Sequence, residues 1–161
     1  MREGMRHHTA PHPALDGVVA DRVGGLQRRC IQLGAGADAV TIQAGPTAGS
    51  GVDRVLHNLA ANTTLSGVLI RHGTATDAFP SNAGGGVFSS GFLRLLDTAI
   101  TDNSALSVGG IGNSGTLTLT NTSVTANRSL SSYGGGIYND AIGDLTLDGT
   151  TTVASNTAQT N

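Results

Sequence analysis

Lysine and tryptophan are absent from this 161-residue chain, cysteine occurs once and aromatic residues make up only 3%. The lone Cys30 excludes an intramolecular disulfide and a cysteine-built zinc site. Charged residues amount to 12%, too few for a solvated disordered chain or for the outer faces of a helical bundle. A net charge of −2 and the lack of a basic stretch argue against a nucleic-acid partner. No apolar run approaches the roughly 20 residues of a membrane-spanning helix. The segment Met1 to Pro13 is rich in Arg, His and Pro, lacks an apolar core and shows no signal peptide. What the chain does hold is glycine, 24 residues against 4 prolines with no triplet period, which excludes collagen. Length and composition together describe one small β domain rich in Gly, Thr, Ala and Asn.

An internal repeat organises the rest. The segment from Gly84 aligns with that from Gly109 so that Val87 falls on Ile111, Leu93 on Leu117, Leu95 on Leu119, Ile100 on Val124 and Asn103 on Asn127, always 24 residues apart. A third copy carries Ile137, Leu145, Leu147, Val153 and Asn156, with spacings that drift from 26 to 29. Upstream, Thr63, Leu65, Ile70 and Gly73 fit the same template at a distance of 30, and Val40 and Ile42 open an earlier copy.

Within each copy the two leucines alternate with polar residues, the period of a strand with one buried face. Preceding Val or Ile and following Ile or Val positions supply two further apolar contacts. Three short strands per copy, separated by Gly/Asn/Ser turns, cannot close a core alone and must stack on their equivalents. The expected fold is all-β, a right-handed parallel β-helix of about five coils, a stub about 20 Å long. Glycine is expected to supply positive φ at the corners. The recurring Asn103, Asn127 and Asn156 read as a stacked side-chain ladder, or as three independent exposed turn residues.

The motifs Gly-Gly-Gly-Val, Gly-Gly-Ile and Gly-Gly-Gly-Ile-Tyr-Asn, each followed by Ile-Thr-Asp-Asn, Val-Thr-Ala-Asn or Val-Ala-Ser-Asn, carry a family resemblance. They resemble the paired repeats of the polymorphic outer membrane proteins, with Ile or Val where those repeats place Phe. In this they are closer to the wider group of bacterial secreted β-helix repeat proteins. The resemblance covers about Leu33 to Ala158. It implies an exported or surface-displayed protein, often of adhesive or unknown role, and it transfers no catalytic residue; the role expected of this chain is that of a non-catalytic adhesive or structural module.

Residues 1–32 are expected to be an N-terminal tail and cap, and 33–161 the repeat domain. Leu15, Val18, Val19, Val23 and Leu26 fall at helical spacing, as a short capping helix over an open solenoid end would require. Gly24-Gly25 interrupts that pattern, and a first strand is the other reading. Nothing similar follows the last copy, so end-to-end association through that coil is a further expectation.

Carboxylates cluster twice, as Asp97 with Asp102 and as Asp140, Asp144 and Asp148. Paired carboxylates are what glycoside cleavage uses, so a fragment of a β-helix polysaccharide lyase or hydrolase is the alternative function. No pectinase-type motif frames these residues, and Asp144 and Asp148 take the outward strand phase beside Leu145 and Leu147. No catalytic residue is therefore assigned. Arg71-His72-Gly73 occupies a repeat corner, where polar residues belong. Gly109-Gly110-Ile111-Gly112-Asn113-Ser114 begins like a calcium β-roll but puts Ser114 at the aspartate position and has no tandem copy. His7, His8 and His12 lie in the polar tail, and neither metal nor cofactor is expected. Thr116, Thr118 and Thr120 point outward together, but equivalent positions hold Phe92, Arg94 and Leu96, so no flat ice-matching lattice forms. The partner expected is a glycan or a surface protein held on this Thr/Asn/Ser-rich flank. Asn62-Thr63-Thr64, Asn121-Thr122-Ser123 and Asn127-Arg128-Ser129 match the glycosylation pattern, which such a composition also produces by chance.

Overall fold

The computed structural model describes residues 19–23, 26–32, 40–59, 61–77, 82–131 and 133–159. The chain is a parallel β-solenoid, with no helix among the described residues. It begins with β1 (Val19–Val23), β2 (Leu26–Gln32) and β3 (Val40–Gln43). The first complete turn is β4 (Leu56–Asn58), β5 (Thr63–Ser66), β6 (Val68–Arg71) and β7 (Thr74–Ala75). The second is β8 (Val87–Ser89), β9 (Phe92–Leu96), β10 (Ala99–Thr101) and β11 (Ser104–Ala105). The third is β12 (Ile111–Asn113), β13 (Thr116–Thr120), β14 (Ser123–Thr125) and β15 (Arg128–Ser129). The fourth is β16 (Ile137–Asn139), β17 (Asp144–Leu147), β18 (Thr152–Ala154) and β19 (Thr157–Ala158). Against the expected five coils, four are complete, and β2 and β3 add two faces of another.

Each strand pairs in parallel with its equivalent one turn away, making four sheets, β4-β8-β12-β16, β2-β5-β9-β13-β17, β3-β6-β10-β14-β18 and β7-β11-β15-β19. Val87 pairs with Ile111 and Ile111 with Ile137. Leu93 and Leu95 pair with Leu117 and Leu119, which pair with Leu145 and Leu147. Ile70, Ile100, Val124 and Val153 form a third apolar column. Leu93, Leu95, Ile100, Ile111, Leu117, Leu119 and Val124 are fully buried in one continuous core. Thr116 and Thr118 take the outward phase and are half-buried; Asp144 is exposed.

Two features depart from the sequence expectation. Each turn has a fourth face, the two-residue strands β7, β11, β15 and β19, where only three strands were expected. Their inward side chains are Ala75, Ala105 and Ser129 in the first three turns, small enough to close a narrow end of the coil. The second departure is at the N-terminus. The part of the expected helix within the described residues is extended instead: β1 pairs antiparallel with β2, Val23 opposite Leu26, and β2 pairs in parallel with β5. Hairpin pairing satisfies strand-edge hydrogen bonds that a helix over the end would leave open. Leu15, Val18 and the tail histidines lie outside the described residues.

Polar stacks line the corners. Asn127 Oδ1 accepts hydrogen bonds from the Asn103 backbone N–H and Nδ2, at 3.1 and 3.0 Å. Asn156 Oδ1 does the same for Asn127, at 3.0 Å in both cases. Asn103 Oδ1 receives the Gly73 N–H at 2.9 Å, so the ladder spans all four turns. Asn103 and Asn127 are each 1% exposed, and this burial rules out the independent exposed-turn reading. A second stack, which the repeat alignment left unread, runs through Asn58, Ser89, Asn113 and Asn139. Thr98 and Thr122 are buried too, and their hydroxyls donate to backbone carbonyls of Leu96 and of Leu95 and Thr120.

Glycine works differently from expectation. The left-handed corners are held mainly by His72, Asp97, Asp102, Asn121, Ala126 and Ser155, with φ between 47° and 59°. The paired glycines serve close approach instead. A Cβ on Gly110 would lie 2.3 Å from the Gly136 carbonyl oxygen and 3.1 Å from Asn127 Nδ2. The chain entering the first face therefore passes directly over the asparagine ladder, and only hydrogen fits there.

Candidate binding groove

The carboxylates regroup from their sequence clusters, and Asp97 and Asp148 both bond to Asn121. Asp97 and Asp102 occupy separate left-handed corners at the two ends of β10. Asp97 Oδ1 accepts from Asn121 Nδ2, and Asp102 Oδ2 accepts the Thr101 hydroxyl at 3.0 Å. Asp148 accepts the Asn121 N–H, 3.2 Å away, and the Thr150 hydroxyl, 2.9 Å away. These bonds, the Asn121 N–H foremost, hold its pKa below the ordinary carboxylate value. A general acid needs the opposite shift. At the Arg71-His72-Gly73 corner, Arg71 Nε donates to Gln43 Oε1, 3.0 Å away, and His72 Nδ1 lies 3.1 Å from the Gly45 carbonyl oxygen. Among the described residues, no three His, Cys, Asp or Glu side chains converge as a metal site would require.

The concave surface lies elsewhere, on the outer side of the β4-β8-β12-β16 sheet. In register across that sheet stand His57, Phe88, Gly112 and Tyr138. Period two turns these residues outward, while Leu56, Val87, Ile111 and Ile137 turn in. Glycine in the third rung removes a side chain between two aromatic rungs. Phe88 leans into the gap: a Cβ on Gly112 would meet its Cδ2 at 3.1 Å. The loops before β8 and β12 close over Phe88 with Ala83 and Val108, leaving it 7% exposed. Arg54 sits 5.1 Å from the centre of its ring, and His57 meets it edge-on at 5.3 Å. The His57 pKa falls below its ordinary value, first through desolvation and then through the Arg54 charge.

Above this floor opens a groove of about 460 Å³, walled by Asn82, Ser107, Ser114, Tyr133, Tyr138 and Asp140. Tyr133 and Tyr138 meet edge to face, with centroids 5.6 Å apart and planes at 85°. Asp140 accepts the Ala141 N–H at 2.6 Å and the Ser114 hydroxyl at 3.3 Å, so its carboxylate is positioned from both sides. Asn82 Oδ1 is buried without a hydrogen-bond partner among the described residues. The alignment placed Phe88, Gly112 and Tyr138 in one column, and that aromatic–glycine–aromatic column was the available signal. Ser114 and Asp140 continue the repeat two residues further on, while Asn82 and Tyr133 come from the loops between copies.

No family model, curated protein or solved structure matches the chain. The fold defines the class, a parallel β-solenoid of four complete turns. No helix among the described residues is long and apolar enough to cross a membrane.

Proposed function

We propose that the chain is a non-catalytic β-solenoid module of an exported or surface-displayed protein, with an adhesive or structural role. One observation supports this most: Asp97, Asp102 and Asp148 are engaged at corners of the coil, in hydrogen bonds that shape the stack. Export and display rest on the resemblance to polymorphic outer membrane protein repeats. The exposed Leu147 and Val153, on the last described strands of two sheets, support end-to-end association of copies. Sedimentation should then depend on protein concentration, and a monomer throughout would dismiss this part. Incubation with polygalacturonate and other acidic polysaccharides, with and without calcium, should release no product. Turnover that disappears in an Asp97→Asn, Asp102→Asn double variant would instead promote the lyase or hydrolase alternative.

A further inference from the structure

The geometry points to the groove beside β12 as a binding site for neutral pyranose units of an oligosaccharide. Tyr133 and Tyr138 are 55% and 39% exposed, large rings left in solvent by a chain with few aromatics to spend. Electron-rich ring faces attract the weakly positive C–H groups that a pyranose presents on its flat side. Glycine at the middle rung lets the Phe88 ring lean across as a floor, and the groove of about 460 Å³ above it has room for a sugar ring beside Tyr138.

The polar groups narrow the ligand further. Asp140 when ionised only accepts hydrogen bonds, and the buried Asn82 Oδ1 is an acceptor with no donor among the described residues. Hydroxyl groups supply such donors. A uronate would bring a second carboxylate towards Asp140, and like charges repel. A caged quaternary ammonium needs aromatic walls around it. Here two exposed rings already touch each other edge to face, and the third, Phe88, is the nearly buried floor. Shape, aromatic faces and acceptor excess thus favour an uncharged sugar.

This inference rests on the adhesive reading, naming what the module would hold. The chain contains no tryptophan and only two tyrosines, both on the groove wall, so intrinsic tyrosine emission reports this site directly. The full chain would be titrated with cellohexaose, maltohexaose and mannohexaose, and with hexagalacturonate as the charged comparator, by emission and calorimetry. At least one neutral hexasaccharide should bind saturably and change the emission. Tyr138→Ala and Tyr133→Ala should each weaken it at least tenfold, while Tyr138→Phe, which keeps the ring, stays within threefold. Asp140→Asn should reduce the preference for neutral over acidic hexasaccharide at least tenfold. Circular dichroism checks that each variant keeps its β signature. No binding by any neutral hexasaccharide, binding retained in both alanine variants, tighter binding of hexagalacturonate or displacement by tetramethylammonium would overturn the assignment. Chromatography of the bound sugar separates the two readings. Cleavage would overturn the non-catalytic reading and leave the groove, whereas absence of both binding and cleavage would remove the groove and leave a scaffold.

Discussion

The third and fourth turns carry nearly the same apolar pattern in the same register, yet they differ sharply in burial. Leu119 and Val124 are inaccessible, whereas their partners Leu147 and Val153 are 46% and 44% exposed. Residue type and strand phase are shared, so neither explains the difference. What separates them is neighbours: the third turn is covered by stacked turns on both sides, the fourth on one. Burial in this fold is conferred by stacking, as a nearly one-dimensional repeat requires.

Replacing matched leucines should sharpen that contrast most. Leu119→Ala should cost roughly 2–5 kcal/mol through lost burial and a cavity. Leu147→Ala, in the same column, should cost less than about 1 kcal/mol because its site is already open. Equal losses in urea melts would break the comparison. The ladder gives the next effect. Asn127→Leu removes bonds to Asn103, Asn156 and the Ile100 carbonyl, and should cost about 1–3 kcal/mol. Asn156→Leu, at a half-buried rung with no further turn among the described residues, should cost about half as much by the same measurement.

How far the sequence led follows from the same physics. Register was legible because Leu and Asn positions recur at 24 residues, and a one-residue slip would turn every leucine outward. The third copy drifts because its loops are longer, Ala141–Gly143 among them, while the paired strands stay aligned. The fourth face was illegible because Ala75, Ala105 and Ser129 raise no hydrophobic signal despite being buried. Glycines invited a positive-φ reading at every corner, but Gly86, Gly110 and Gly136 approach ladder side chains of Asn103, Asn127 and Asn156, which lie well beyond the local turn in sequence. Of the groove, the Phe88–Gly112–Tyr138 column lay within the repeat, and so did Ser114 and Asp140, whose backbone N–H groups bond equivalently to the turn before. Asn82 and Tyr133 reach it from the loops between copies.

Corner strain provides smaller tests. Ala126 holds φ at 54° without a side chain that could offset the strain. Ala126→Gly should stabilise the chain by about 1 kcal/mol in thermal melts, while Thr118→Ala on the outward phase stays within about 0.5 kcal/mol. A destabilised Ala126→Gly would show that this corner is not limited by its backbone. The smallest effect concerns Asp148, which ties the fourth turn to Asn121 in the third. Its lowered pKa means that the ionised form stabilises the fold above the ordinary carboxylate value of 3.8, and that this contribution is lost as pH falls through the lowered one. Asp148→Asn should therefore flatten the acid limb of a stability-versus-pH curve, and an unchanged limb would assign that limb to other carboxylates.

Native-state hydrogen exchange tests the stacking claim most directly, because the compared amides are all hydrogen-bonded to the turn before them. In the third turn, Thr116, Ser123 and Arg128 donate to Gly91, Thr98 and Asn103; in the fourth, Asp144, Thr152 and Thr157 donate to Gly115, Thr122 and Asn127. If burial comes from neighbours on both sides, the third-turn amides should exchange about 100-fold or more slowly than the fourth-turn set, which opens locally. Equal protection in the two sets would contradict the account, since it would mean that the solenoid opens as one unit and that a turn covered on one side is as firmly held as one covered on both.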